Sequence, residues 1–142
     1  MVDFIQSNRV GVLAVQLVDG SPHAATVHFA HQEDPLSLII LTERSYKKCE
    51  ALLKGDKVKS SFVIGTDEEK MKTLQLDGEI KIIEDDQVAK KYFDKFNSKG
   101  DNFEPPEDVF LLFTPTWWRF TDWTKPEGKT SLDSEGRIVV YD

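Results

Sequence analysis

The chain has 142 residues, 39% of them hydrophobic and 30% charged, with a formal net charge of −7. That length is enough to bury a core in one domain spanning residues 1–142, and the acidic balance argues against general nucleic-acid or anionic-membrane binding. A single cysteine, Cys49, allows no internal disulfide and no paired zinc thiolates. No stretch approaches the ~20 apolar residues of a membrane span, and residues 1–6 lack the basic start and apolar run of a secretion leader, so a cytoplasmic protein is expected.

Residues 3–9 read as one or two helical turns, with Phe4 and Ile5 apolar. A strand follows over residues 11–18, apolar on both faces, and Asp19-Gly20-Ser21-Pro22 is a strong turn signal. The next strand, residues 23–30, sets Ala25, Val27 and Phe29 on one face and Ala24, Thr26, His28 and Ala30 on the other. After a turn at residues 32–35 comes a strand over 36–41. Tyr46, Cys49, Leu52 and Leu53 then recur at helical spacing, predicting a helix that opens at residues 42–48 and stops at Gly55.

The remaining elements alternate more plainly. A strand over residues 57–64 is followed by a polar loop at 65–70. The next strand opposes Leu74, Leu76, Gly78, Ile80 and Ile82 to Gln75, Asp77, Glu79 and Lys81. Asp85 and Asp86 cap a helix whose Val88, Ala89, Tyr92, Phe93 and Phe96 form one stripe. A loop at 101–108 leads to a strand over 109–114, a break at Pro115, and a strand over 117–123. The tail is polar up to residues 138–141, which read as a late edge strand or a loose end.

Two clusters carry chemistry. Arg44, Ser45, Lys47 and Lys48 gather where the first predicted helix opens. Free N–H groups and the dipole of a helix start favour an anion there, although such a cluster is also the makings of an ordinary solvated face. Trp117, Arg119, Thr121 and Trp123 share a strand face opposite Trp118, Phe120 and Asp122. Aromatics in that pattern either stack on a flat heterocycle or close a core. His23, His28 and His31 lie close in sequence, but strand alternation turns His28 away from the other two, so no metal site is expected. Nucleophile-elbow, zinc-protease and Walker motifs are absent, which removes hydrolase and nucleotide triphosphatase readings.

Gly11-Val12-Leu13-Ala14, Asp19-Gly20-Ser21-Pro22-His23 and the run from Leu38 through Thr42 to Lys48 and Leu52 resemble the pyridoxamine 5'-phosphate oxidase-like family of FMN-binding split barrels, near its small general-stress-protein branch. The likeness covers roughly residues 4–123. It implies a mainly β fold, an antiparallel split barrel of six or seven strands with two helices, dimeric, with FMN at the interface between two copies. By position, Leu41, Thr42, Arg44, Ser45, Lys47 and Lys48 would meet the phosphate end, with Tyr46 standing where the family commonly has a small hydroxyl. Ala25, Thr26, Val27 and His28 would run along the flavin ring, mostly through backbone, and His28 is equally suited to a surface or interface. Gln75, or Ser60 and Ser61, would reach the pyrimidine edge, and Trp117 or Trp118 would approach from the partner copy. The function implied is an FMN-binding flavoprotein, a flavin-dependent oxidoreductase acting on a small molecule that the sequence does not name. Its side chains include no assigned catalytic group. Pyridoxamine phosphate oxidation itself is not expected, because residues 117–123 do not show the substrate-phosphate motif of those enzymes. The same fold would also suit a deazaflavin, a non-catalytic flavin or haem module, or a structural dimer without ligand.

Overall fold

The structure, a computed structural model, describes residues 1–55, 57–126 and 128–141. Nine antiparallel strands form one sheet: β1 (Val10–Gln16), β2 (Pro22–His28), β3 (Ala30–Gln32), β4 (Ser37–Glu43), β5 (Val58–Ile64), β6 (Lys72–Ile83), β7 (Asp108–Asp122), β8 (Lys129–Asp133) and β9 (Ile138–Tyr141). Two α-helices accompany them, α1 (Val2–Ser7) and α2 (Asp86–Lys95). The sheet runs β2-β1-β5-β6-β7-β4-β3, with β8 added to β7 and β9 to β8. Because β2 and β3 are joined by Phe29 alone, the two ends of that path are neighbours in the chain and the sheet rolls into a split barrel.

Alternation along the strands makes the inside of the roll. Leu13 and Val15 of β1, Phe62 and Ile64 of β5, Leu74, Leu76 and Ile80 of β6, and Leu111 and Phe113 of β7 are all buried in one cluster. Phe62 sits at its centre, its ring 5.3 Å from that of Phe29 and 5.9 Å from that of Phe113. A second cluster lies on the outer face of β3, β4 and β7. There α2 lays Val88, Ala89, Tyr92 and Phe93 against Ala30, Ile39, Leu41 and Phe110. The Asp85 carboxylate accepts from the Gln87 and Val88 amides at 2.8 and 3.2 Å, an N-cap that contributes about 1 kcal/mol to such a helix.

Three sequence expectations are corrected here. Residues 42–54 do not form an α-helix. The strand persists to Glu43 because it stays paired with Asp108 of β7, and it gives way to a 3-10 turn at Lys47–Cys49 with further turns to Lys54. Burial of Cys49 and Leu52 meets the helical spacing without a continuous ladder of i→i+4 bonds. Pro115 does not break the chain into two strands either. β7 runs through it by a bulge: Asp77 faces Trp117 and Gly78 faces Pro115, leaving Thr116 as the extra residue. Gly78 fits this crossing because a Cβ there would lie 2.2 Å from the Thr114 carbonyl oxygen. The tail, finally, takes the edge-strand alternative, with β9 paired to β8; with β3, β8 and β9 added and the two strands around Pro115 merged, the described residues hold nine strands rather than six or seven.

Candidate functional site

The roll leaves part of its outer surface uncovered. While α2 shields β3, β4 and the first half of β7, the outer face of β2, β1, β5, β6 and the second half of β7 carries no helix among the described residues. Its side chains follow from the registers. Thr26 faces Val12, Val12 faces Val63, Val63 faces Gln75, Gln75 faces Arg119, and Arg119 faces Asp133. One step along the strands, Ala24, Ala14, Ser61, Asp77 and Trp117 form a second row. Val10 and Val63 are exposed on this face. A groove of about 580 Å³ opens across it between the β1–β2 turn and the bulge, lined by Ala14, Gly20, Pro22, Ser61, Asp77 and Thr116 among others. Ser61 Oγ donates to Asp77 Oδ1 there at 2.8 Å.

The cationic corner sits beside this face. The 3-10 turn at Lys47–Cys49 packs against β2, and the Lys47 charge reaches Asp19 in the β1–β2 turn. The Asp19 carboxyl is held below its ordinary range, first by the Ser21 hydroxyl and amide and lastly by Lys47. Arg44, Ser45 and Lys47 are exposed, whereas Lys48 is only 9% exposed. Its ammonium lies 4.5 Å above the Tyr46 ring and has no carboxylate within 4 Å among the described residues. Burial pushes the Lys48 amine below its usual range, against the opposing influence of Cys49 and Glu43. Thr42 points into the roll, and its hydroxyl is buried without a hydrogen-bond partner. With no α-helix at this corner, the dipole of a helix start is not available to an anion here, and the charges themselves must do the attracting.

The other expected site residues fall in different places. Val27 is buried in the core and offers only backbone to the outside, while Thr26 and His28 are exposed. His28 lies at the far end of β2 from the cationic corner, its ring edge-on to Phe96 at 5.7 Å. Leu41 turns away from Thr42 and helps line a second cavity of about 320 Å³ with Arg9, His28, Tyr92 and Phe96. Sequence reasoning misses Arg9, since a lone arginine before a strand carries no signal of such a place. Ser60 points inward with an unpartnered hydroxyl, so it and Ser61 do not act on the same face. Trp118 packs against the core, which leaves Trp117 on the open face, stacked under Arg119 at 5.2 Å. Along the sheet, Thr26 and Gln75 are three strand steps apart, about 14 Å at ~4.8 Å each. Within a single chain those two side chains do not converge.

No helix among the described residues is long and apolar enough to cross a membrane, and no three of their His, Cys, Asp or Glu side chains gather as a metal site would need. Comparison with solved structures finds this architecture repeatedly. A protein related to general stress protein 26 from Clostridium acetobutylicum superposes with a TM-score of 0.68 at 18% identity, over 94% of this chain and 92% of that one. General stress protein 26 from Bacillus anthracis gives 0.64 at 19% identity, over 99% and 95%. A heme binding protein from Mycobacterium smegmatis gives 0.70 at 15% identity, over 93% of this chain but only 55% of its own length. At such identities the likeness is one of fold. A search of curated proteins finds no match. The family model for pyridoxamine 5'-phosphate oxidase, however, matches residues 1–122 continuously, from α1 to the end of β7, and the chain therefore belongs to that family.

Proposed function

We propose that the protein binds FMN between two copies of itself and is a flavin-dependent oxidoreductase of the family's general-stress-protein type. The observation that carries this reading is Lys48: a residue only 9% exposed, its ammonium facing an aromatic ring at 4.5 Å and without a carboxylate partner among the described residues. A cation left without a carboxylate partner is stabilised by an incoming anion. Exposed Lys47 and Ser45 beside it suit a phosphate group, and small Ala24 and Thr26 on the adjoining strand let a flat ring approach. The residues present therefore fit a phosphate-bearing flavin. Bound there, the flavin would supply hydride or electron transfer at its ring. Gln75 and Trp117 stand too far along the sheet from Thr26 to reach the same ring from one chain, so in this reading the second copy supplies them.

The test is the absorption spectrum of the purified protein, followed by titration with FMN and riboflavin. Flavin bands and FMN uptake are expected, with Lys47→Ala weakening FMN by about 1 kcal/mol or more while riboflavin, which has no phosphate, is held as before. A Soret band in place of flavin absorption would instead favour a haem module on this fold, with exposed His28 the first ligand to examine. Heat-silent titration with every flavin would end the proposal.

A further inference from the structure

The β8–β9 hairpin follows the segment that the family model covers, and it reaches back to the open face at one point. The Asp133 side chain is 1% exposed. Its Oδ1 accepts from the Glu135 and Arg137 amides at 2.9 and 3.0 Å, and its Oδ2 from Arg137 Nε at 3.1 Å. Arg119 Nη2 lies 3.6 Å from the same Oδ2. The hairpin is also latched to the backbone of β7, for Trp118 N donates to Ser134 Oγ at 3.1 Å and Ser134 N to the Trp118 carbonyl at 2.9 Å. Arg119 thus lies between the Asp133 carboxylate, which the turn bonds fix, and the Trp117 ring. Arg137 shares the carboxylate and also donates to Glu135 at 2.7 Å, so the two guanidiniums and two carboxylates of this cluster balance. With its side chain 40% exposed, the guanidinium keeps donors free toward the open face.

We propose that Asp133 is a positioning residue: it holds the Arg119 guanidinium over Trp117, and the pair forms a plate that meets the ring of a flavin seated on the partner copy. This rests on the flavin reading above and adds a residue to it from outside the matched family segment. A guanidinium left unheld would lose its orientation to side-chain rotation, and a flat ligand would have to restore it on binding. The plate contacts the ring and not the phosphate, which separates its role from that of Lys47 and Lys48.

The experiment is a double-mutant cycle read by quenching of flavin fluorescence, using the intact protein, Asp133→Asn, Arg119→Gln and the pair combined, each titrated with FMN and with riboflavin. Each single change is expected to weaken both flavins about tenfold, the scale of one charge-assisted contact, and the combined variant to be no weaker than either alone. Near-ultraviolet circular dichroism of the tryptophans should change alike in both single variants, a signal of the ring's surroundings that is read without flavin. Arg119→Gln leaves the Asp133 turn bonds in place, so a matching loss in that variant cannot come from a loosened hairpin. Unaltered flavin binding by Asp133→Asn, or losses that multiply in the combined variant, would overturn the assignment of Asp133 while leaving the flavin reading intact. Failure of the unaltered protein to take up either flavin would overturn both.

Discussion

Replacing Lys48 with methionine sets stability and ligand binding against each other. The lysine stem is buried and its amine is held below its usual range by burial. The folded state therefore disfavours the charged form relative to the unfolded chain, and at neutral pH the charge works against folding. Methionine keeps an unbranched stem of similar reach and removes the charge. Against this, the ammonium's contact with the Tyr46 ring at 4.5 Å is lost, a contact of about 0.5–2 kcal/mol. Relief of that desolvation on removing the charge outweighs the lost contact. The expected net effect of Lys48→Met is a gain of about 1 kcal/mol, a rise in Tm of roughly 2–4 °C for a chain of this size. FMN affinity should move the other way, by about 1–3 kcal/mol, or roughly 5- to 150-fold in Kd, with riboflavin unaffected. Thermal unfolding of the ligand-free protein and parallel titrations with the two flavins measure both. A fall in Tm together with equal losses for FMN and riboflavin would refute the reasoning, since Lys48 would then be a structural cation rather than a phosphate seat.

Gly78→Ala should destabilise the protein by about 3 kcal/mol in denaturant unfolding, because the new Cβ meets backbone on the facing strand, Thr114 O at 2.2 Å and Pro115 Cα at 2.9 Å, rather than a side chain that can move aside. Lys95 gives a pH dependence. Its amine lies over the Phe29 ring at 4.2 Å and donates to the Asn8 carbonyl at 2.6 Å, and burial, helped by Arg9, lowers its pKa to about 8. Between that value and the ordinary lysine range the unfolded chain binds more protons, so this group's contribution to stability rises with pH through that window and its penalty is full below it. Unfolding midpoints of the natural chain measured from pH 7 to 10 should climb relative to those of Lys95→Met, and parallel curves would contradict this.

The parts of the fold legible in sequence are those where a single environment dictates each face. β6 alternates cleanly because Leu74, Leu76 and Ile80 meet the core while Gln75, Asp77 and Glu79 meet water. The α2 stripe and its Asp85 cap are equally plain, because a helix laid on a sheet buries one side only. β1 reads apolar on both faces for a different reason: Leu13 and Val15 fill the core, and Val10 and Val12 belong to the uncovered face. The misreadings share a cause. In residues 45–54, Cys49 and Leu52 are buried while Tyr46 and Leu53 of the same expected stripe are exposed, so the helical spacing matches neither one buried face nor a ladder of hydrogen bonds. At Pro115 the missing N–H would end an ordinary ladder, but the bulge at Thr116 and the bare Gly78 opposite absorb it. Only the pairing of two distant segments reveals that compensation.

The candidate site is less legible for a reason of geometry. Each strand states its own faces, yet which residues share a lateral row depends on registers between strands far apart in the chain. Thr26, Gln75 and Arg119 fall in one row only because β1 and β5 lie between β2 and β6 and fix the offsets. Asp133 is the extreme case. In sequence, Asp133-Ser134-Glu135-Gly136 is a turn, and Gly136 at φ +82° confirms that it is used as one. The turn alone explains why the Asp133 carboxylate accepts from the Glu135 and Arg137 amides. It does not explain why the carboxylate stands 3.6 Å from Arg119. That comes from β8 joining the edge of β7, which sets a turn residue opposite Arg119. A residue that is fully accounted for by its local turn can therefore act on a distant surface, and the sequence window that contains it shows only the first role.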